Sequence, residues 1–323
     1  MAQGLISFFR RIILLREISS LIMLLVVVLV FFAISPLFLS QENVAVILEI
    51  IPELGIVALG VTMLMISGEF DLSVGSVFAF CPIIMTMFVV WGFPPLLSVI
   101  IALLMAMLLG ALNGFITLFF GIPSFITTLG AMLIWRGTVL LITGGWPPPF
   151  PAEMGTGILV GKLGFLRASI FWYGAIAVLL WFILERTDFG NWMFATGGNQ
   201  VAARAMGVDT QKVKFVNFML CSLLAGFAGL IQSFRLVTTL PSMGTGLEMD
   251  AIAATVIGGT ALSGGVGTVI GTVIGAFLIR VIDNGLVIIR APSYWFRVFI
   301  GIAIILAVIL NSFVRERAKK LRC

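Results

Sequence analysis

What most limits the fold of this chain is a succession of long apolar runs with almost no charge. Leu21–Leu39, Val44–Ile66, Ser73–Val90, Leu96–Phe120, Ser124–Ile142, Ser169–Leu184, Phe215–Val237, Gly264–Ile282 and Tyr294–Leu310 are of this kind, and Asp250–Leu262 is a shorter one. A bilayer core of about 30 Å is crossed by roughly 20 helical residues. Backbone polar groups have no water there to bond, so a run of this length crosses as a helix. The expected fold is all-α and polytopic, with about ten transmembrane helices, several short or broken. The count becomes eight if Asp250–Leu262 and Gly264–Ile282 form a re-entrant hairpin.

Composition agrees. The 323 residues are 61% hydrophobic and 10% charged, against about 25% charged in soluble domains. Arg10, Arg11 and Arg16 precede the first run with no small-residue cleavage site after it, so it reads as a retained span. The net charge of +5 comes from both ends, where Arg315, Arg317, Lys319, Lys320 and Arg322 form the C-terminal group, and from a middle loop with Arg186, Arg204, Lys212 and Lys214. Basic clusters of this kind mark cytoplasmic segments. Both termini are therefore expected in the cytoplasm of a multi-pass membrane protein, and nucleic acid is not an expected partner. The chain has no histidine and three dispersed cysteines, which removes the commonest general base and metal ligand and any disulfide framework. No catalytic residue, metal site or bound cofactor is expected.

One stretch interrupts the pattern. "MISGEFDLSVGSVFAF", Met65 to Phe80, sets Glu69 and Asp71 between two apolar runs. Gly68 suits a helix stop, and Asp71 or Ser73 suits the N-cap of the next helix. Asp71 is either a cap in a tight turn or part of a polar pathway or gate, roles that are compatible. Glu69 has no capping role and is expected to face water at the cytoplasmic end. Within the spans, Arg136 needs a partner. Glu49 and Glu53, four apart on one face with Pro52 between them, are the candidates. Asn113 and Asn284 are interhelical hydrogen-bonding residues or ligands for a hydroxyl. Gly267, Gly271 and Gly275 line one helix face for close packing, either internal or between subunits. "LSGGVGTVIG" echoes "LSVGSV" and hints at an internal repeat. The Pro-rich stretch Thr143–Gly157 belongs to an external loop, about 143–168, that is a connector or a docking surface. In the inside loop, about 186–214, "NQVAARAM" makes two helical turns, with Asn199 as N-cap and Gly207 as stop.

These stretches resemble the ribose-type permeases of bacterial ABC importers. "SGEFDLSVGS", "ALNGFI", "IPSFITTLGAMLIWRGTVLLITGG", "FATGGNQVAARAMGVDTQKVKF" and "DAIAATVIGGTALSGGVGTVIGTVIGAFLIRVIDNGL" occur in the family's order over nearly the whole chain. Many relatives have glycine and isoleucine where this chain has Glu69 and Phe70. The resemblance implies a single permease domain, residues 1–323, in the bacterial inner membrane. It imports a simple sugar, and an external binding protein delivers the cargo. A second permease copy or paralogue completes the pair, within membrane lipid. ATP and Mg belong to a separate ATPase, commonly with two fused nucleotide-binding halves, since "GTGILVGKL" has the wrong glycine spacing for a P-loop. The resemblance also implies that Asn199, Ala202, Ala203, Arg204, Met206 and Gly207 form the segment that couples to the ATPase. A stand-alone ion-coupled sugar transporter is the alternative. It would use Glu49, Glu53 or Asp71 as its coupling carboxylate.

Overall fold

The computed structural model describes residues 18–309, apart from 152, 153, 156, 293, 303, 304, 307 and 308. The N-terminal arginines, the C-terminal basic cluster, Cys323 and parts of the run Tyr294–Leu310 lie outside the described residues.

The chain begins with α1 (Ile18–Ile34), a 3-10 turn at Pro36–Leu39, and α2 (Gln41–Ile66), followed by α3 (Val74–Val90), α4 (Pro95–Phe120) and α5 (Ser124–Thr143). The next segment holds one turn, α6 (Gly157–Val160), and a two-residue hairpin, β1 (Lys162–Leu163) and β2 (Leu166–Arg167). Then come α7 (Ala168–Arg186), α8 (Asp188–Gly198), α9 (Gln200–Ala205), α10 (Thr210–Leu236), α11 (Leu247–Ile257) and α12 (Val269–Ile288). Helices α2, α4, α5, α7, α10 and α12 are long and apolar enough to span a membrane, and α1 and α3 are shorter apolar helices. α2, α10 and α12 form the centre, each with well over half of its apolar window buried. α4, α5 and α7 turn wide apolar faces outward, with Leu104, Leu133 and Val178 all more than half exposed. That inverted surface is what a hydrocarbon solvent permits.

Two breaks organise the bundle. α2 ends in a Schellman turn: Gly68 N–H donates to Met65 O and Glu69 N–H to Leu64 O. Gly68 takes φ +91°, a conformation that costs a side-chain-bearing residue about 1–2 kcal/mol. α11 ends before a second break, residues 258–268, that leads into α12. The two breaks meet at one end of the bundle, called here the junction end. Ile66 O accepts from Gly265 N at 2.9 Å, and a Cβ on Gly264 would stand 2.8 Å from Gly68 Cα. The echoing sequences thus lie side by side at the same end, not at opposite ends as in an inverted repeat.

α11 bears on the expected hairpin of Asp250–Leu262 and Gly264–Ile282. Its 11 residues reach only about 16 Å, while α12 spans by itself. The residues before α11 lie inside the bundle: Gly244 packs against the Gly75 carbonyl and the Phe78 side chain of α3. A run of turns, residues 237–246, leads into this half-length helix, and α12 alone of the two is long enough to span, so the pair is not a hairpin of two equal short arms. The glycine face of α12 is turned inward. Gly271 and Gly275 abut the carbonyls of Gly258 and Ala254, and Gly267 abuts Ile66 and Thr260. Beside it, Thr62 of α2 bonds Thr255 of α11 at 3.2 Å and Thr272 of α12 at 2.6 Å. Replacing Gly275 with valine drives methyl groups into the backbone of α11. The expected outcome is a loss of about 1–3 kcal/mol or more, read as a lower melting temperature of the detergent-solubilised protein, with Gly137→Val, which faces open space, unaffected.

Candidate functional site

At the first break, Asp71 is buried and serves as an acceptor for donors from three helices. Its Oδ1 accepts from Ser73 N at 2.8 Å and from Ser73 Oγ at 2.6 Å. Its Oδ2 accepts from Asn113 Nδ2 of α4 and Ser222 Oγ of α10, each at 3.3 Å. Asn113 Nδ2 also donates to Ser73 Oγ at 2.8 Å. Asp71 stands two residues ahead of the N-cap Ser73, so it closes an Asx turn there and at the same time pins the break to α4 and α10. The sequence placed Asp71, Ser73 and Asn113 as candidates, and the fold brings them together; Ser222 gave no signal, being one serine in an apolar helix.

Glu69 departs from expectation. It does not face water. Its Oε1 is 2.6 Å from Lys214 Nζ, with side-chain exposures of only 13% and 9%. The reason is the Schellman turn, which directs the chain back beneath α10.

Arg136 also departs from expectation, because its partners are carbonyls and not Glu49 or Glu53. Its NH1 donates to Pro241 O at 2.7 Å and Met243 O at 2.8 Å, and its NH2 to Gly75 O at 3.0 Å. The non-helical entry to α11 leaves carbonyls without ladder partners at membrane depth, and a guanidinium with five donors satisfies several at once. The two glutamates lie at the far end of α2. Arg235 Nε approaches Glu53 Oε1 at 2.5 Å, Gln232 Nε2 donates to Glu53 Oε2 at 2.8 Å, and Arg167 Nε approaches Glu49 Oε1 at 2.9 Å. This network fastens α2 to the start of α7 and the end of α10. Asn284 is buried on α12 apart from these groups, and its Oδ1 has no partner among the described residues.

The half-length helix α11 carries a second polar region. Its N-cap, Gly246, supplies no side-chain acceptor, and Glu248 and Asp250 occupy the first turn, where the helix dipole favours negative charge. Glu248 packs against Gly75 and lies in the field of Arg136 and Arg297. Asp250 faces Arg280, Asp283 and Arg297, and Arg280 NH1 is 3.4 Å from Asp283 Oδ2. Three arginines thus oppose three carboxylates around the start of α11. All six residues retain partial or full exposure, in a segment flanked by membrane-spanning helices. Fixed donors and acceptors with balanced charge hydrogen-bond an uncharged polar molecule without selecting an ion. The sequence reading passed over Glu248, Asp250, Arg280, Asp283 and Arg297. A usable signal was present: two carboxylates lead into a run too short to span, and Arg280 and Asp283 lie three apart on a helix.

At the junction end, α9 forms a separate exposed feature. Asn199 Oδ1 accepts from Ala202 N at 3.0 Å, and a Schellman turn closes on Gly207, with Gly207 N–H on Arg204 O and Val208 N–H on Ala203 O. Ala203 packs inward at 4% exposure, so it is not available to a partner. Arg204 Nε is bound to Thr210 Oγ1 at 2.8 Å. The outward groups are Val201, 79% exposed, and Met206, 85% exposed, together with Ala202, Arg204, Ala205 and Gly207, which are also exposed.

An all-α bundle of long apolar helices, several of them interrupted, defines a polytopic membrane protein, and its likeness to known proteins places it among transport proteins. The chain belongs to the family described as "Branched-chain amino acid transport system / permease component", which matches residues 43–308. It is similar to the "Ribose import permease protein RbsC" of Escherichia coli (strain K12), 35% identical over 308 residues that cover 92% of this chain and 94% of that protein. It is also similar to the "Xylose transport system permease protein XylH" of the same strain, 35% identical over 87% of each chain. The "Autoinducer 2 import system permease protein LsrC" of Photorhabdus luminescens is 34% identical over 95% of this chain and 92% of that protein. No solved structure matches the chain.

Two substitutions separate the roles of these groups. Asp71→Ala removes the acceptor of four donor contacts and is expected to cost about 1–3 kcal/mol or more, the penalty for buried donors left unsatisfied. Asp71→Asn keeps one acceptor oxygen and costs less; thermal melting in detergent distinguishes them. Arg136→Lys retains charge but loses the planar fork. It is expected to leave α2–α3 packing intact while loosening residues 238–246, read as faster cysteine labelling of Thr245→Cys.

Proposed function

We propose that this chain is the membrane-spanning permease subunit of an ATP-driven ABC importer for a simple sugar: a pentose, a hexose or a related polyol. The observation that carries the reading is the charge-balanced, partly open polar region at the start of α11. A half-length helix whose N-terminus opens at membrane depth is a recurrent way of building a transport site. Three arginines and three carboxylates supply hydrogen bonds to hydroxyls at no net charge. A branched-chain amino acid, the cargo in the family's description, would call for an apolar side-chain pocket and separate sites for its two charges. Ribose and xylose in the names of close relatives point the same way.

The chain carries no P-loop, so the motor is a separate ATPase subunit that holds ATP and Mg, with two nucleotide-binding halves in one chain. α9 is its docking helix, presenting Val201, Ala202 and Met206. The junction end then faces the cytoplasm along with both termini, and the segment 143–168 faces outward to a sugar-binding protein. A second permease copy or paralogue completes the complex in the bacterial inner membrane. The ion-coupled alternative called on Glu49, Glu53 or Asp71. The first two are held by Arg167 and Arg235, and the third by four donors.

Coexpression with the ATPase and reconstitution into proteoliposomes tests the reading. Sugar-loaded binding protein should stimulate ATP hydrolysis and uptake, with no effect of an uncoupler. Leucine should not be carried. Met206→Asp and Val201→Asp should insert normally but fail to copurify with the ATPase. Uptake that persists without the ATPase and collapses with an uncoupler would overturn it.

A further inference from the structure

Two separate connections run to the break between α2 and α3, one from α9 and one from the end of α8 just before it. The first is polar. Lys214 Nζ, at the start of α10, donates to Glu69 Oε1 at 2.6 Å and to Gln200 Oε1 at 3.1 Å. Gln200 is the first residue of α9. Its Nε2 donates to Thr210 Oγ1 at 3.3 Å, and that hydroxyl also receives Arg204 Nε. The second connection is backbone against backbone. A Cβ on Gly197, at the end of α8, would strike Ile66 O, and one on Gly265 would stand 2.5 Å from Gly198 Cα. Gly265 N in turn donates to Ile66 O. Both connections converge on the four residues from Ile66 to Glu69, and two residues further on Asp71 binds α4 and α10.

We propose that the Glu69–Lys214–Gln200 interlock carries displacement of α9 into the α2–α3 break, with Glu69 as the positioning residue. The proposal rests on the reading of α9 as the ATPase docking helix. The physical basis is the shielding of the pair. Lys214 and Glu69 are largely withdrawn from water, and a pair so placed is screened far less by salt than a surface pair. Parting it leaves the Lys214 ammonium with the neutral Gln200 carbonyl in place of a carboxylate, so a shift of α9, passed through Gln200 to Lys214, draws Glu69 with it. The glycine contacts set how far the segments can approach, because no side chain intervenes to absorb the motion.

The test uses the assembled permease–ATPase complex in proteoliposomes with sugar-loaded binding protein. Glu69→Gln and Lys214→Gln should each lower sugar transported per ATP hydrolysed by roughly fivefold or more, the scale of a typical coupling between sites. Complex assembly should be unchanged. The double variant E69Q/K214Q should be no worse than either single one, and the exchange E69K/K214E should recover part of the coupling. A purely structural pair would change yield and melting temperature but leave the ratio of sugar to ATP unaltered. A wild-type complex without ATP-driven uptake overturns the permease reading and this inference with it. A competent wild type whose single variants keep the full ratio, or whose double variant shows additive losses, overturns the interlock alone.

Discussion

Every irregular piece of backbone in this protein has to find hydrogen bonds without water, and that requirement shapes the rest of the structure. Non-helical chain is tolerated at membrane depth only when buried in protein or lining a polar cavity. Here two breaks and one turn-rich entry, residues 237–246, interrupt the helices. Each is satisfied by a specific device: the Schellman turn and Asp71 at residues 67–73, the Ile66–Gly265 bond between the breaks, and the Arg136 fork on Pro241, Met243 and Gly75. The charged residues in the core are therefore structural fittings first. A carboxylate or guanidinium there costs several kcal/mol unless hydrogen-bonded, and the Asp71 and Arg136 devices supply those bonds.

The same fittings give the molecule its functional geometry. Because Arg136 holds the entry to α11, the N-terminus of a half-length helix opens within the bundle with Glu248 and Asp250 in its first turn. Because Asp71 ties its break to α4 and α10, the junction end behaves as one unit with α9 resting on it. The irregular backbone is thereby gathered into two regions, at α11 and at the junction end.

Much of this was legible in the chain. The apolar runs announced the spans to within a few residues, Gly68 and Gly207 announced their turns, and Asn199 its cap, since these features depend only on neighbours in sequence. The break at Ser67–Ser73 was legible because charge in an apolar setting demands a reason. Glu69 and Arg136 were misjudged in their partners, and Ala203 in its direction. A helix end gives the position of a side chain along the chain, but a turn of a few residues swings it through any angle. The arginine was matched to charges, whereas carbonyls freed by a distant irregular segment proved the better acceptors. Glu248 and Asp250 were missed because they stand at and just before the edge of a short apolar run and read as its polar boundary; the approach of Gly244 to Gly75 carries the segment before them into the bundle.

The sequence by itself determined that this is a many-pass helical membrane protein, where its helices start and stop, and to which family it belongs, because hydropathy, capping and motif order are local properties of the chain. The tertiary structure alone decided which charges meet, that the glycine face of α12 packs inward, and that a half-length helix opens a polar region at membrane depth. Those outcomes depend on how segments far apart in sequence share one desolvated interior, and in such an interior a group's partner is whichever complementary group the packing brings within about 3 Å.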